Sequence, residues 1–269
     1  MVSKAAEFMA NAGHLSVSGN TPLAAALARE VVGVVTRATE RAPRSQQVHL
    51  GPSEIGVECD RQVVGKLLRM PKTNHVADPW PSFVGTAIHA ELERAFNADN
   101  LSTGVRRWYT ETSVEPHPEH RGTADLYDAV EQAVWDHKNL GESSMAKLRA
   151  KGASRKYERQ LLLYGLGYLR KGFPVRRVGI IAYPRTGSSL DGVYVWERPF
   201  DADAVAKLAE TFDATRRRKI IAAFVAEGRN RWEDVPMAPD DDECYFCPFY
   251  RPQAARDGGL GCPGPRSVQ

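Results

Sequence analysis

The stretch GTADLYDAVEQAVWDHK, residues 122–138, decides how the centre of this chain folds. It contains two runs of β-type residues around a polar break, which predicts two neighbouring antiparallel strands. Residues two apart in a strand share a face, so Asp136 and Lys138 lie side by side. Pairing with the preceding strand brings the Asp125 carboxylate to the same place. Two carboxylates this close repel each other unless a cation lies between them, which predicts a Mg²⁺ or Mn²⁺ site.

Two further segments strengthen this interpretation, because Asp-x-Lys alone also describes a common surface ion pair of little energetic value. Gly85-Thr-Ala-Ile-His89 places a histidine one helical turn after a glycine. Gln160-Leu-Leu-Leu-Tyr164 places an amide and a phenol on one helix face. Each segment has a plain alternative: a lone helix histidine is more often structural, and Tyr164 could be a core aromatic.

The four cysteines fall into two groups that are far apart in the sequence and could form one metal site. Cys59 stands alone in the N-terminal third, whereas Cys244, Cys247 and Cys262 lie near the C-terminus. The sequence shows neither the order of a signal peptide nor an apolar run of spanning length, so we expect an intracellular, reducing environment that disfavours disulfides. A C-x-x-C pair with two more cysteines then predicts a four-sulfur site for zinc or an iron–sulfur cluster. Two unrelated buried thiols with a chance C-x-x-C are the alternative.

The bulk composition is that of an ordinary globular protein. The 269 residues are 42% hydrophobic and 26% charged, and the net charge of +3 permits nucleic-acid binding without arguing for it. We predict an N-terminal helical region over 1–81 that includes Cys59, a core over 82–235, and a cysteine-rich tail over 236–269. That tail has no core of its own and needs a metal to hold it.

Local patterns predict the main elements. Helices are predicted from Thr21-Pro22, from Ser53 to Leu67 with Cys59 near the apolar stripe, and over 82–96, 156–170 and 202–227. The apolar stripe of the first helix is Leu23, Leu27, Val31, Val34 and Val35. Strands are predicted over 107–114, 122–130, 133–138, 178–183 and 193–196. Residues 141–155 are predicted to be a basic, mobile loop.

The motifs as an ordered set resemble the PD-(D/E)xK nuclease superfamily. They most resemble its RecB-like exonuclease branch with an iron–sulfur cluster, which includes CRISPR-associated exonucleases of the fourth family, the AddB nuclease domain and related phage exonucleases. That branch carries G-x-x-x-H, G-x-x-D, D/E-x-K and Q-x-x-x-Y segments in this order. Here they are Gly85 to His89, Gly122 to Asp125, Asp136 to Lys138 and Gln160 to Tyr164, and the resemblance covers residues 50–265.

The resemblance implies an α/β fold: a restriction-endonuclease-like mixed central sheet flanked by helices, with a helical N-terminal part and a cluster-bound C-terminal tail. It implies metal binding by His89, Asp125, Asp136 and the backbone carbonyl of His137, catalysis by Lys138, and site support or DNA contact by Gln160 and Tyr164. Cys59, Cys244, Cys247 and Cys262 would hold a [4Fe–4S] cluster. Two features depart from the pattern of this branch. The side chain of Asp136 is shorter than that of glutamate, and the 14 residues between Cys247 and Cys262 are more than the branch usually has.

The implied activity is that of a metal-dependent DNA exonuclease acting on single-stranded DNA ends in recombination or repair, in the bacterial cytoplasm and encoded by a bacterium or phage. The sequence has no Walker A loop, so any unwinding requires a helicase or recombinase partner. The alternatives are a catalytically silent nucleic-acid-binding iron–sulfur module, a nuclease for CRISPR spacer acquisition, and an iron–sulfur electron carrier. Candidate DNA contacts are Lys147, Arg149, Lys151, Arg155, Lys156, Arg159, the run 216–219, and the aromatics Trp80, Phe83, Trp108 and Tyr157.

Overall fold

A computed structural model describes residues 18–42, 49–74, 79–187, 189–238 and 244–265. The chain divides into two compact units. The first comprises Met1–Val48, Cys59–Val84 and Ile221–Gln269, and the second comprises His49–Glu58 and Gly85–Ile220. None of the helices in the described part of the chain has the length and apolar character needed to cross a lipid bilayer.

A five-stranded mixed sheet forms the centre of the second unit, in the order β1-β2-β3-β4-β5. The strands are β1 (Trp108–His117), β2 (His120–Asp128), β3 (Ala133–Leu140), β4 (Arg177–Pro184) and β5 (Tyr194–Pro199). β1 to β3 form an antiparallel meander, β4 is parallel to β3, and β5 is antiparallel to β4. A parallel pair requires a crossover, which the helices between β3 and β4 supply. The predicted α/β class, a restriction-endonuclease-like mixed sheet flanked by helices, is therefore confirmed.

The helices are numbered in chain order. They are α1 (Pro22–Arg41), α2 (Pro52–Ile55), α3 (Asp60–Leu67), α4 (Trp80–Thr103), α5 (Glu142–Lys151), α6 (Arg155–Arg170), α7 (Ala202–Ala226) and α8 (Ala254–Asp257). Short 3₁₀ turns cover Trp232–Asp234 and Cys244–Phe246. α4 belongs to the second unit from Gly85 onward, and α7 belongs to it up to Ile220.

Helix α6 packs closely on the sheet. Ser154 is its N-cap and accepts a hydrogen bond from the Tyr157 backbone N–H at 3.3 Å. As predicted, the helix ends just before Gly172, whose φ of 85° suits a residue without a Cβ. Gly167 permits the close approach, because a Cβ there would lie 2.7 Å from the Cβ of Val114 on β1. The face of α6 that carries its functional residues is thereby held against the strands.

The prediction of a mobile loop over 141–155 is wrong, because α5 forms there. Met145 and Leu148 are buried one turn apart and give this short helix an apolar side. Glu142 lies in the first turn and Arg149 and Lys151 in the last, an arrangement that the helix dipole favours. Two apolar residues among many polar ones were too weak a periodic signal to reveal the helix.

The prediction that Cys59 lies on a helix with Ile55 is also wrong. The chain forms α2, breaks over residues 56–58, and starts α3 at Asp60. Cys59 is the N-cap of α3, with φ −75° and ψ 110°. The N-cap of α2 is Gly51, so this helix starts one residue before the predicted Ser53. The single helix predicted over 53–67 is therefore two short helices in succession.

Helix α1 begins as predicted but does not bury its apolar stripe. Thr21 is the N-cap, and its hydroxyl oxygen accepts a hydrogen bond from the Ala24 backbone N–H at 3.1 Å. Leu23, Leu27 and Val31 are nevertheless 80%, 59% and 53% exposed. The predicted helical spacing is therefore confirmed, and the stripe it forms is largely exposed.

Candidate active site

Strands β2 and β3 bring Asp125 and Asp136 together. Their antiparallel register pairs Leu126 with Trp135, so the two aspartates come next along the two strands. Both side chains are sheltered, with Asp125 11% exposed and Asp136 3% exposed. Asp125 Oδ2 also accepts a hydrogen bond from the backbone N–H of His137 at 2.8 Å. The two carboxylates are therefore fixed beside each other in a partly dehydrated place.

The glycine of the Gly122 to Asp125 segment is required by packing. A Cβ at Gly122 would lie 2.5 Å from Pro52 Cδ and 3.5 Å from Tyr164 Cε1. Real Cβ atoms do not approach a ring carbon so closely, so a side chain here would push Pro52 away from β2. The glycine lets α2 and α6 pack tightly around the start of the strand that carries Asp125.

Lys138 pairs with Asp136, two residues away on the same strand face. Its ammonium group forms an ion pair with Asp136 Oδ2. Burial alone would lower the pKa of Lys138, but the charges of Asp136 and Asp125 outweigh it and the pKa is raised. Lys138 Nζ also lies 5.2 Å from the centre of the Tyr157 ring, whose face attracts a cation. Lys138 therefore stays protonated at neutral pH.

Helix α6 holds Asp136 from the other side. Gln160 Nε2 donates hydrogen bonds to Asp136 Oδ1 and to the Tyr164 hydroxyl oxygen, both at 3.1 Å. Gln160 and Tyr164 are both buried. The structure thus brings both residues to the acidic pair, where they orient the Asp136 carboxylate from within the protein.

His89 lies on the Asp125 side of the pair. Its Nδ1 is 3.5 Å from Asp125 Oδ2. The ligand atoms of His89, Glu111 and Asp125 all lie within 4.8 Å of one another, a spacing that could hold a metal ion. Asp136 does not belong to this group, because its two oxygens face Lys138 and Gln160.

Glu111 was not predicted from the sequence. β1 pairs Thr110 with Leu126 and Thr112 with Ala124, so Glu111 lies opposite Asp125. Its φ is +41°, in the left-handed region that residues other than glycine rarely adopt. Backbone strain of this kind concentrates at functional sites. The available signal was one acidic residue in a predicted strand, and only the register with β2 distinguishes it from an ordinary surface glutamate.

The site holds more negative charge than Lys138 neutralises. Burial first, and the neighbouring Asp136 second, raise the pKa of Asp125 to about 8, although Lys138 opposes this. A divalent cation would relieve the repulsion. Burial, followed by the nearby His89, lowers the pKa of His137 to about 4, so that ring is neutral. The His137 ring stacks on Phe96 at 5.5 Å, which leaves the backbone carbonyl as the part of His137 predicted to bind metal.

Several candidate DNA contacts are engaged within the protein. Arg218, in the basic run over 216–219, is buried and donates to the backbone carbonyls of Ile55 and Glu58 at 3.4 and 3.1 Å. It therefore supports the α2 region rather than contacting DNA. Arg155 and Arg159 each lie 3.4 Å from the Glu58 carboxylate, which reduces the charge they offer a phosphate.

The cysteines form a separate candidate site, within the first unit. Cys247 and Cys262 are buried in its hydrophobic core. The long gap between them closes because the chain returns on itself: the Cys262 N–H donates to the Phe249 carbonyl, and the Arg251 N–H donates to the Cys262 carbonyl, each at 2.7 Å. Cys244 lies nearby, since a Cβ on Gly264 would be 3.6 Å from its Sγ. The gap therefore does not keep Cys262 from the C-x-x-C pair.

Cys59 also belongs to this neighbourhood. It interacts electrostatically with Cys262 and with Cys247. Burial raises the pKa of Cys59 and raises the pKa of Cys247 to about 12. These thiols are therefore neutral at pH 7 unless a metal ion or cluster displaces their protons.

Arg61 places a positive charge beside the cysteines. It is only 7% exposed, and it donates to the carbonyls of Val235, at 2.8 Å, and Glu233. Its Nη1 lies 3.7 Å from Cys262 Sγ. Within the described part of the chain it forms no ion pair with a carboxylate. A buried guanidinium without a carboxylate needs another anion, and a set of metal-bound thiolates would provide one.

Comparison with known proteins adds only distant similarities. No family model matches this chain, and no curated protein matches its sequence. Similar solved structures include LHK-Exo, an alkaline exonuclease from Laribacter hongkongensis, at 10% identity and a TM-score of 0.47, covering 67% of this chain and 93% of that chain. LHK-Exo in complex with dAMP gives 12% identity, a TM-score of 0.46 and the same 67% and 93% coverage. A phage-related exonuclease from Haemophilus somnus 129PT is 11% identical, with a TM-score of 0.33. The match covers 82% of this chain and 99% of that chain. With TM-scores below 0.5, these similarities support no functional conclusion, which must come from the side chains.

Proposed function

We propose that this chain is a metal-dependent DNA exonuclease of the PD-(D/E)xK type that hydrolyses phosphodiester bonds at single-stranded DNA ends, in recombination or repair. The observation that carries the proposal is the sheltered pair Asp125 and Asp136 with the half-buried Lys138 beside it. A surface ion pair, the plain alternative, would be exposed and would lack the Gln160 support. The preference for single strands and the pathway follow from the family resemblance described above.

The metal site is proposed to form on the Asp125 side. His89, Glu111 and Asp125 offer ligand atoms at suitable spacing, and Asp136 and the His137 carbonyl are the further ligands that the resemblance implies. A bound divalent ion supplies Lewis acidity at the phosphate and lowers the pKa of water. An imidazole nitrogen among carboxylates favours Mn²⁺ at least as much as Mg²⁺.

The other residues act on charge and orientation. Lys138 remains an ammonium ion, so it stabilises negative charge that develops on the phosphate instead of removing a proton from water. Gln160 fixes the Asp136 carboxylate, and Tyr164 receives the second hydrogen bond of the same amide. Basic residues of α5 and α6, such as Lys151 and Lys156, are proposed to contact the DNA backbone.

A nuclease assay tests the proposal. End-labelled single-stranded and double-stranded oligonucleotides are incubated with the protein in Mg²⁺, in Mn²⁺ and in EDTA. We expect cleavage in both metals and none in EDTA, and loss of cleavage in Asp125→Asn, Asp136→Asn and Lys138→Met. Glu131→Gln, an exposed acid in the turn between β2 and β3, is the matched control and should retain activity. Full activity in EDTA would refute the metal mechanism, and folded wild-type protein without activity would favour the silent binding module.

We further propose that Cys59, Cys244, Cys247 and Cys262 hold a [4Fe–4S] cluster as a structural staple. Four thiolates also suit a single zinc ion, so the preference for an iron–sulfur cluster rests on the family resemblance described above.

The visible spectrum and metal content of anaerobically purified protein test this second proposal. We expect absorption typical of an iron–sulfur cluster with iron and sulfide in equal amounts. Cys244→Ser should bleach it and lower thermal stability. One equivalent of zinc without iron would overturn the cluster assignment, and full stability and colour in the variant would overturn the four-cysteine site.

A further inference from the structure

A second group of metal-ligand side chains lies on the hairpin between β1 and β2. The sequence there is His117-Pro118-Glu119-His120. The ligand atoms of His117, Glu119 and His120 all lie within 4.8 Å of one another. None of these residues belongs to the acidic site or to the cysteine site, and the proposed nuclease function makes no use of them.

We propose that this hairpin binds a borderline transition-metal ion such as Zn²⁺, Ni²⁺ or Co²⁺ through His117, Glu119 and His120. The two histidines are cross-strand partners, and their ring centres are 5.4 Å apart. Two imidazoles bound to one tetrahedral ion at bonds of about 2.05 Å have their ring centres about 5 Å apart. The hairpin therefore already holds the rings at a separation that suits a shared ion.

Local strand geometry explains this placement. The register of β1 and β2 shifts between Val114 and His117, an irregularity that re-aims the side chains beyond it. The shift makes His117 the partner of His120 across the turn. Phe212 packs against both rings, with ring-centre distances of 5.2 Å to His117 and 6.5 Å to His120. The pair is thus oriented by the backbone and by a neighbouring aromatic ring.

His120 is prepared as a ligand by its hydrogen bond. Its Nδ1 lies 2.8 Å from the Leu50 carbonyl oxygen, which can only accept, so Nδ1 carries the proton. The lone pair is then on Nε2, where a metal ion can bind. A backbone carbonyl that holds the second ring nitrogen in this way is the usual partner of a metal-bound histidine. His120 is also buried, so few alternative orientations are open to it.

Two contacts compete with metal binding and lower the affinity expected for the ion. Lys219 Nζ pairs with Glu119 Oε2 at 2.7 Å, so its charge competes with the ion for the carboxylate. The Glu119 N–H donates to His117 Nδ1 at 3.2 Å, a long hydrogen bond that metal binding through either ring nitrogen must break. We therefore expect weaker binding than at a closed structural zinc site. Removal of the Lys219 charge should strengthen the binding, which gives the proposal a gain-of-affinity test.

Zinc titration of the full-length protein against a chromophoric chelator tests the site. Excess Mg²⁺ is present throughout, because the oxygen-rich acidic site takes hard cations while imidazole favours zinc. The proteins compared are wild type, His117→Gln, His120→Gln, Glu119→Gln, Lys219→Met and Cys244→Ser. The matched control is Glu115→Gln, which removes a carboxylate that pairs with Arg121 at 3.1 Å on the same hairpin.

We expect wild type to bind one equivalent of zinc that His117→Gln and His120→Gln bind about tenfold more weakly or not at all. Lys219→Met should bind it more tightly, and Glu115→Gln should bind it as wild type does. Circular dichroism identifies any variant that does not fold. If a histidine variant does not fold, Glu119→Gln and Lys219→Met test the site instead, because they change exposed or half-exposed positions. Equal zinc affinity in wild type and all the hairpin variants would overturn the proposal, as would loss of this equivalent in Cys244→Ser alone.

Discussion

The Asp125 carboxylate destabilises the metal-free fold, so Asp125→Asn should make the protein more stable while it removes activity. Burial and the neighbouring Asp136 raise the pKa of Asp125 to about 8. The folded protein therefore holds this proton more tightly than the unfolded chain does. Between the unfolded and folded pKa values, stability falls as pH rises, because unfolding releases the proton. Asparagine carries no charge, and its side-chain oxygen can still accept the hydrogen bond from His137.

The size of the effect follows from the two pKa values of Asp125, 3.8 in the unfolded chain and about 8 in the folded protein. Linkage gives a destabilisation of about 4 kcal/mol at pH 7 and about 2 kcal/mol at pH 5. Both are upper limits, because Lys138 loses part of its attraction when the charge is removed. We expect Asp125→Asn to raise the free energy of unfolding by about 1–2 kcal/mol at pH 7 and by less at pH 5.

Urea unfolding in EDTA at pH 5 and pH 7 measures this difference. Asp128→Asn, on the same strand, is the control with the opposite sign. Burial alone would raise the pKa of Asp128, but hydrogen bonds from Arg107 and two backbone N–H groups lower it. That carboxylate stabilises the fold above its unfolded pKa, and we expect a loss of about 1–3 kcal/mol on substitution, smaller as pH falls. An Asp125→Asn protein that is less stable than wild type at pH 7, or whose gain is larger at pH 5, would refute the reasoning.

Three further predictions concern the two candidate sites. Gln160→Leu should lower the cleavage rate about 10- to 100-fold in the end-labelled assay, because Asp136 loses its orienting hydrogen bond. It should also lower the free energy of unfolding by about 1–3 kcal/mol, because Asp136 and Tyr164 lose their buried donor. Cleavage rates in Mn²⁺ should equal or exceed those in Mg²⁺ for wild type, and His89→Ala should remove the advantage of Mn²⁺, because it removes the nitrogen ligand. Arg61→Met should reduce the visible absorption and iron content of anaerobically purified protein, because the proposed cluster site needs a positive charge beside its thiolates. Arg61→Lys keeps that charge and should retain more of both. Equal iron content in wild type and Arg61→Met would contradict this.

Local sequence signals predicted the framework of the second unit. The break between two β-type runs located β2 and β3, and the spacing of Asp136 and Lys138 placed both on one strand face. In the first unit, Thr21-Pro22 fixed the start of α1, where the Thr21 hydroxyl oxygen accepts the Ala24 N–H at 3.1 Å. These succeed because side-chain alternation and capping depend on residues a few positions apart.

Features that depend on residues far apart in the sequence could not be predicted from it. Glu111 resembles any glutamate in an exposed strand until the register sets it opposite Asp125. Arg218 sits in a basic run typical of a solvated helix, yet it is buried against carbonyls of residues more than a hundred positions earlier. Helix α5 has only two buried apolar residues, and what buries them is not visible locally.

The sequence by itself determined the five strands and most of the helices, the acid–lysine strand, and the spacing of four cysteines along the chain. Only the tertiary structure decided that Glu111 joins His89 and Asp125, that Asp136 is held by Lys138 and Gln160, and that Arg61 lies beside Cys262. The physical reason is the distance along the chain over which each interaction acts. Strand and helix periods arise from neighbouring residues, whereas the charge and hydration of a buried group depend on whatever the folded chain packs around it.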